Sequence, residues 1–540
     1  MKKIIYFLLL AGIVSVFSLQ CKNPLQDVKL EVNAEVINYS VLLEFDDPCG
    51  CVPKGLSVNV KGKDAAAIYD LSGKKEIAID KGIIAIGVHP RMEPTDGNPL
   101  SFNIEVSGDG YLPLNIPVKI YKKQFQQIMT KSIMKISTPP AGASVRNTTT
   151  NLNANSSISQ PVTLSTPLTN GKTEAATITL PAGTQFQDAD GKVLTGSTLK
   201  LLMAHFDTKH QESLNLFPGG SFTASDVTGP GNQQISATLI PASFASVDLT
   251  LGNTAVRRFS QPITIAMQID PAYQNLQTNA AIKAGDKLSV FSFEVGEGKW
   301  KYEQDVDVTL VNGKLSASFQ TNHLTWFTIG QYATACAEGL TLEFQAPWLG
   351  ESQLPVTVKA EIVGFDSYAI DQKQITVSNG SSDIFTNLPN KPVKFTFFDD
   401  KGKVIGETEV SNPCSVGKVV ATLASPETQL PEVSMKLTVR CPEQNVVVTP
   451  PDFYFYYREA KSASDPSGYK ILGLVKKGEF KTNLLKTDVE YDFKAVWGSR
   501  TKIVYKKKVS LNNSTEVGTG NTGNDKRNLD ILIEECNSRL

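Results

Sequence analysis

The chain has 540 residues, 53 Lys and Arg against 54 Asp and Glu, and a formal net charge of −1. A balance this even argues against a nucleic-acid binder or a polybasic membrane-surface protein, and no nucleic-acid partner is expected. Hydrophobic residues make up 41%, enough for packed cores, and the length leaves room for three to five domains at roughly 100–200 residues each.

Lys2 and Lys3 precede an apolar run over 4–17 that is too short to span a bilayer, so 1–20 reads as a secretory signal peptide. Ser18-Leu19-Gln20-Cys21 resembles a bacterial lipoprotein cleavage site, which makes Cys21 the expected lipidation point. Gln20 stands where a small residue is usual. Residues 21–27, with Pro24, would form the lipid-anchored tether. The partners implied are a membrane, reached through that anchor, and a surface glycan or protein.

A first module over 28–136 carries candidate strands at 28–36, 41–45, 56–60, 83–88, 102–106 and 116–120. Turn residues separate them, and several short strands at this spacing suggest a β-sandwich. Gly110-Tyr111-Leu112-Pro113 resembles the corner before the last strand of exported Ig-like modules. Residues 124–134 read as a short helical piece. The stretch 137–174 is rich in Thr, Ser, Asn and Pro and reads as a linker.

From Ala175 the strands resume, and 175–332 is expected to be one composite β region. Thr179 to Lys192 (TLPAGTQFQDADGK), with Leu216-Phe217-Pro218-Gly219-Gly220 beyond it, resembles the β-sandwich of ankyrins and netrin receptors. Asp188 and Asp190 echo a calcium loop, but no glutamate follows at the needed spacing, so a hairpin turn is expected. His205, Asp207 and His210 lack a further ligand at sensible spacing. No metal and no cofactor is expected.

Asn312-Gly313 is a two-residue hairpin signal, and His323-Leu324-Thr325 stands just before the β-rich Trp326-Phe327-Thr328-Ile329. Trp300, His323, Leu324, Thr325, Phe327 and Ile329 resemble the proteolysis-site motif of the GAIN domain of adhesion receptors and polycystins. The sequence departs from that motif in having no cysteine between Val306 and Asn322. The resemblance implies self-cleavage between Leu324 and Thr325, with His323 taking the proton of the attacking Thr325 hydroxyl.

Further β-sandwiches are expected over 333–428 and 429–540, with Asp399-Asp400-Lys401-Gly402 as a hairpin turn. Beyond Cys21 the cysteines number six, an even set in an exported chain. Cys336 with Cys414 and Cys441 with Cys536 each bracket a module and are expected disulfides, and Cys49-Gly50-Cys51, which could close on itself or act as a thiol pair, reads as a structural loop. Lys506-Lys507-Lys508 reads as a solvated edge.

No phosphate loop, nucleophile elbow, zinc spacing or paired-carboxylate motif stands out. The sequence therefore points to an all-β chain of tandem Ig-like β-sandwiches after a lipoprotein signal peptide. It would serve as a surface binding, adhesion or scaffold protein and not as an enzyme. The alternatives are a glycan-binding accessory protein, with Tyr454 and Tyr456 as an aromatic platform, and the self-cleaving protein just described.

Overall fold

The structure is a computed structural model, and it describes residues 31–32, 37–46, 53–169, 172–365, 367–426, 428–440, 447–450, 452–462, 467–498 and 500–517. Alternating apolar and polar residues become half-buried strands throughout, as in Leu56–Lys61, where every second side chain is exposed. Strands dominate the described chain, arranged as β-sandwiches, and helix is confined to short turns.

In the first module one sheet runs Ile68–Asp70, Ile83–Val88, Ser40–Asp46, Gln126–Ser132. It faces a second sheet of Leu56–Lys61, Leu100–Gly108 and Leu114–Ile120. Val41, Leu43, Ile84, Ile86, Phe102 and Ile104 fill the space between them. The run Ile83–Val88 does not alternate; all six residues are buried. The reason lies outside the module. Leu42, Ile83, Ala85 and Ile128 on the outer face pack against Tyr454, Tyr456, Ile471 and Leu474 of the last module. A strand covered on both faces is expected to be apolar throughout. The segment 124–134, expected as helix, forms the strand Gln126–Ser132 instead, because its pairing along Ser40–Asp46 overrides local propensity.

The central unit has two sheets. The larger runs Thr223–Thr228, Lys299–Asp307, Lys287–Glu294, Trp326–Thr334, Gln234–Leu251, Thr198–Phe206, Ala143–Asn151. The smaller runs Val162–Ser165, Ala176–Leu180, Arg258–Gln268, Lys314–His323, Thr309–Val311. Two of these strands, Ala143–Asn151 and Val162–Ser165, fall in the expected linker, so 137–174 is not a linker but belongs to the sandwich. Most of their Ser, Thr and Asn side chains reach toward solvent from edge positions, Ser144 being the buried exception, which disguised them as loop. Asn312 (φ 51°) and Gly313 (φ 79°) make the expected hairpin turn between Thr309–Val311 and Lys314–His323.

A register shift in the long strand Gln234–Leu251, between Pro241 and Ser243, frees backbone carbonyls inside the protein. The Tyr273 hydroxyl donates to Ile240 O at 2.6 Å and the Tyr368 hydroxyl donates to Pro241 O at 2.7 Å. Tyr368 belongs to the third module, so this bulge is also a joint. One apolar core runs without a break from the central unit into the third module.

The third module pairs Leu340–Gln345 with Ser382–Phe385 and Lys418–Thr422, and faces a sheet of Val404–Val410, Val393–Phe398, Leu354–Ile362 and Asp371–Val377. Gly402 (φ 79°) and the Asp399 carboxylate, which accepts from the Lys401 and Lys403 amides, form the predicted turn. Its second sheet continues into the first module through one antiparallel rung, Gln374 against Ile128. In the last module Phe453–Glu459 sits between Lys470–Val475 and Glu490–Trp497, and Val433–Arg440 pairs in parallel with Asn512–Val517. The modules succeed one another in sequence, yet their sheets and cores interlock. The run Lys506-Lys507-Lys508 is exposed on its strand.

Candidate functional site

His323 ends one sheet of the central unit and Trp326 begins a strand of the other, so His323-Leu324-Thr325 is the corner where the chain crosses between sheets. Leu324 is buried, which pins the corner. The His323 Nδ1 lies 3.2 Å from the Thr321 hydroxyl, and its Nε2 lies 3.6 Å from a Glu303 carboxylate oxygen. Burial pushes the imidazole below its usual range, Lys301 adds to that, and Glu303 opposes it. The Thr325 hydroxyl donates to the Phe293 carbonyl. The structure thus places the two side chains side by side in sequence but gives each a different partner. None of the three residues has a positive φ. Trp300 is buried and stacks on Phe217, with ring centroids 5.0 Å apart.

Cys336 and Cys414 stand at disulfide distance, their Cα atoms 4.7 Å apart. Cys21, Cys49, Cys51, Cys441 and Cys536 lie outside the described residues. The Asp188 carboxylate accepts from the amides of Asp190 and Lys192 at 3.0 and 2.9 Å, the bonding of a turn. The tyrosine platform is overturned: Tyr454 and Tyr456 are 0% and 1% exposed. Tyr454 hydrogen-bonds Ser40 of the first module at 3.0 Å. Aromatic strand residues here serve a joint between modules, not a ligand.

His205, Asp207 and His210 are drawn into a node that the sequence did not reveal. Lys172 Nζ donates to Gly142 O at 2.9 Å, to His205 O at 3.1 Å and to His205 Nδ1 at 2.6 Å. With Nδ1 accepting, the proton of the neutral ring sits on Nε2 and is donated to the Ser243 hydroxyl at 2.8 Å. A serine and a histidine this close suggest nucleophilic catalysis, but the nitrogen facing Ser243 carries a hydrogen and is no base. Both residues are also sealed, His205 at 0% exposed and Ser243 at 1%. Burial lowers Lys172 to about 8 against the pull of Asp207 and Glu174, and burial with the Lys172 charge holds His205 well below its usual range. Asp207 turns away, to His210 Nδ1 at 3.0 Å. The node is structural.

A cavity of 820 Å³ opens where the first module, the central unit and the third module meet. Beside the Gln374–Ile128 rung the two strands diverge, and the same antiparallel register carried three residues on sets Asp371 opposite Lys131. Lys131 Nζ donates to Gly220 O, so one side chain of the first module bonds the central unit while standing across from Asp371 of the third. Gly220 (φ +68°) is needed there: a Cβ would stand 2.8 Å from the Lys131 Nζ. Burial lowers the Lys131 ammonium and raises the Asp371 carboxyl, and each opposes the shift of the other. Lys373 pairs with Asp383 at 2.9 Å on the same side. Asn103, 4% exposed, donates to Asn115 Oδ1 at 3.2 Å, while its own Oδ1 has no partner. Nothing in the local sequence announces this site, because its members come from strands more than 200 residues apart.

Among the described residues no helix is long and apolar enough to cross a membrane, a statement silent on β-barrels. No family model matches the chain, and no curated protein matches it. Among solved structures it is similar to the Bacillus anthracis TIE protein, at 10% identity and a TM-score of 0.12, over 69% of this chain and 57% of that one. The chain therefore spans little more than half the length of that protein. It is also similar to a minor pilin of Streptococcus agalactiae (10% identity, TM-score 0.14, 34% of this chain, 94% of that one). A third likeness is to the shaft pilin SpaA of Lactobacillus rhamnosus GG (12% identity, TM-score 0.14, 33% of this chain, 96% of that one).

Proposed function

We propose that this chain is an exported surface protein, anchored through a lipid on Cys21, that works as a rigid binding scaffold and catalyses no reaction on other molecules. The observation that carries this reading is the junction of three interlocked modules around one polar cavity. Concave sites at domain junctions are where ligands are usually held. The Ser243–His205 pair, the arrangement nearest in type to a catalytic one, is closed to solvent and bonded in the wrong sense for a base. The partners of this reading are the membrane, through the anchor, and a surface glycan or protein at the cavity.

Two measurements test it. Membrane-extracted protein should give an intact mass that begins at Cys21 and carries diacylglycerol, and Cys21→Ala should move the protein to the soluble fraction. Whole cells treated with a membrane-impermeant amine label should yield labelled protein. An unlipidated, soluble mature chain would sink the anchored-scaffold reading.

A further inference from the structure

Within the scaffold reading, and resting on it, we infer that the three-module cavity binds a neutral, hydroxyl-rich ligand, a short oligosaccharide segment. Size admits it. At 820 Å³ the cavity lies within the roughly 300–1,000 Å³ of ordinary ligand pockets.

Charge narrows the class. Four of the five lysines that line the cavity face carboxylates, Lys373 with Asp383 at 2.9 Å, Lys299 with Glu297 at 3.0 Å, Lys119 with Asp226 at 3.7 Å and Lys131 across from Asp371, and the fifth, Lys63, donates to Asn98 Oδ1 at 3.4 Å. A phosphate or sulfate would have to break such a pair to gain a cation, leaving the carboxylate uncompensated. An anionic ligand is therefore disfavoured at those four lysines, and a cationic one at their carboxylates for the mirror-image reason.

Hydrogen-bonding chemistry narrows it further. Asn103, Gln126, Gln372 and Gln374 line the cavity, and each carboxamide presents an acceptor oxygen beside a two-hydrogen donor nitrogen. A sugar hydroxyl is donor and acceptor at once, so neighbouring hydroxyls match a carboxamide edge. The Asn103 Oδ1 is the decisive atom: it is buried, unpartnered and at the cavity. A buried acceptor left without a donor is costly, which makes it the place where a ligand hydroxyl gains most. The aromatic rings at the cavity, Phe102, Trp300 and Phe385, are each at most 3% exposed. None of these three rings offers an open face to an apolar peptide side chain.

The test uses the full mature chain on an immobilised array of neutral gluco-, manno-, galacto- and xylo-configured tetrasaccharides. Sulfated and uronic-acid oligosaccharides and a hexapeptide library are printed beside them. The expected result is retention on one neutral set, with affinity weakened roughly ten-fold by Asn103→Leu, the size of one lost buried hydrogen bond. The double variant Gln126→Ala with Gln372→Ala, which alters only cavity-facing side chains, should weaken it by a similar factor if Asn103→Leu fails to fold. Retention on anionic glycans or peptides alone, no retention at all, or binding that the folded variants leave unchanged would each overturn the inference. A lipidated, surface-labelled protein that ignores every neutral glycan would sink the ligand class and leave the scaffold standing.

Discussion

Two of the seams that hold the third module are built on opposite physics. Against the central unit the seam is dry and aromatic. Phe222 meets Tyr368 at 5.2 Å between ring centroids, and Phe365 meets Tyr273 edge-on at 6.2 Å. The two tyrosine hydroxyls satisfy the carbonyls that the strand bulge released. Against the first module the seam is one β rung beside a cavity edged with paired charges. Burial stabilises the first seam and penalises the second, because desolvation disfavours the charged forms of Lys131 and Asp371. A molecule can hold charges at a disfavoured junction when another junction fixes the geometry. The polar, wet seam can then stand without contributing much stability of its own.

The dry seam should therefore dominate stability. Phe365→Ala removes a fully buried ring and should lower the stability of the joint unit by about 3–5 kcal/mol in calorimetry. A loss below about 1 kcal/mol would mean that the seam contributes little and the comparison fails. The disulfide expected between Cys336 and Cys414, with a sequence separation of 78, should add about 4 kcal/mol. Cys336→Ala with Cys414→Ala should lose that amount, and non-reducing digestion should recover the linked peptide from the parent protein.

The wet seam should yield less. Lys131→Met removes the bond to Gly220 O and should cost about 1–3 kcal/mol. Combining it with Asp371→Asn should cost less than the two separate losses together, since the pair then disappears as a unit. Strict additivity would show that the two groups do not communicate.

The pH profile separates charges inside a module from those at a seam. Lys172 and Lys494 are both lowered by burial to about 8 from 10.5. Between those values the unfolded chain holds protons that the folded one has released, so stability rises with pH from about 8 toward 10. The slope is at most about 1.4 kcal/mol per pH unit for each lysine. Burial raises the Tyr273 and Tyr454 hydroxyls, so above pH 10 they ionise first in the unfolded chain and stability turns down. Urea midpoints should trace this rise and fall, and Lys172→Met should flatten the rise. An unchanged slope would remove Lys172 from the account.

Local turn chemistry was the most legible feature of this chain. Asn312-Gly313 and Asp399 to Gly402 specify their hairpins by backbone conformation and side-chain bonding alone. Apolar runs were legible as strands, but their partners were not. The continuous run Ile83–Val88 carried the sign of a second covering layer, and the tyrosines of Phe453–Glu459 are that layer. The strand Ala143–Asn151 was illegible because its polar residues satisfy solvent on an edge while Thr198–Phe206 supplies its ladder. At the candidate cleavage site the motif placed a sheet-to-sheet corner, whereas partner choice there depends on Phe293 and Glu303, which no spacing reveals. The bonding of Thr325 to Phe293 leads us to expect one intact band on a denaturing gel; a fragment beginning at Thr325 would overturn that.

The parallel pairing of Ser40–Asp46 with Gln126–Ser132 has a mechanical meaning. Its register runs in step from Ser40 against Gln126 to Asp46 against Ser132. Tension entering the chain ahead of Ser40 pulls at one end of this ribbon, while the chain beyond Ser132 resists at the other. The rungs are then loaded together in shear and cannot open in succession. Any drag on the modules that is transmitted back along the chain ahead of Ser40 meets the whole ribbon in shear at once.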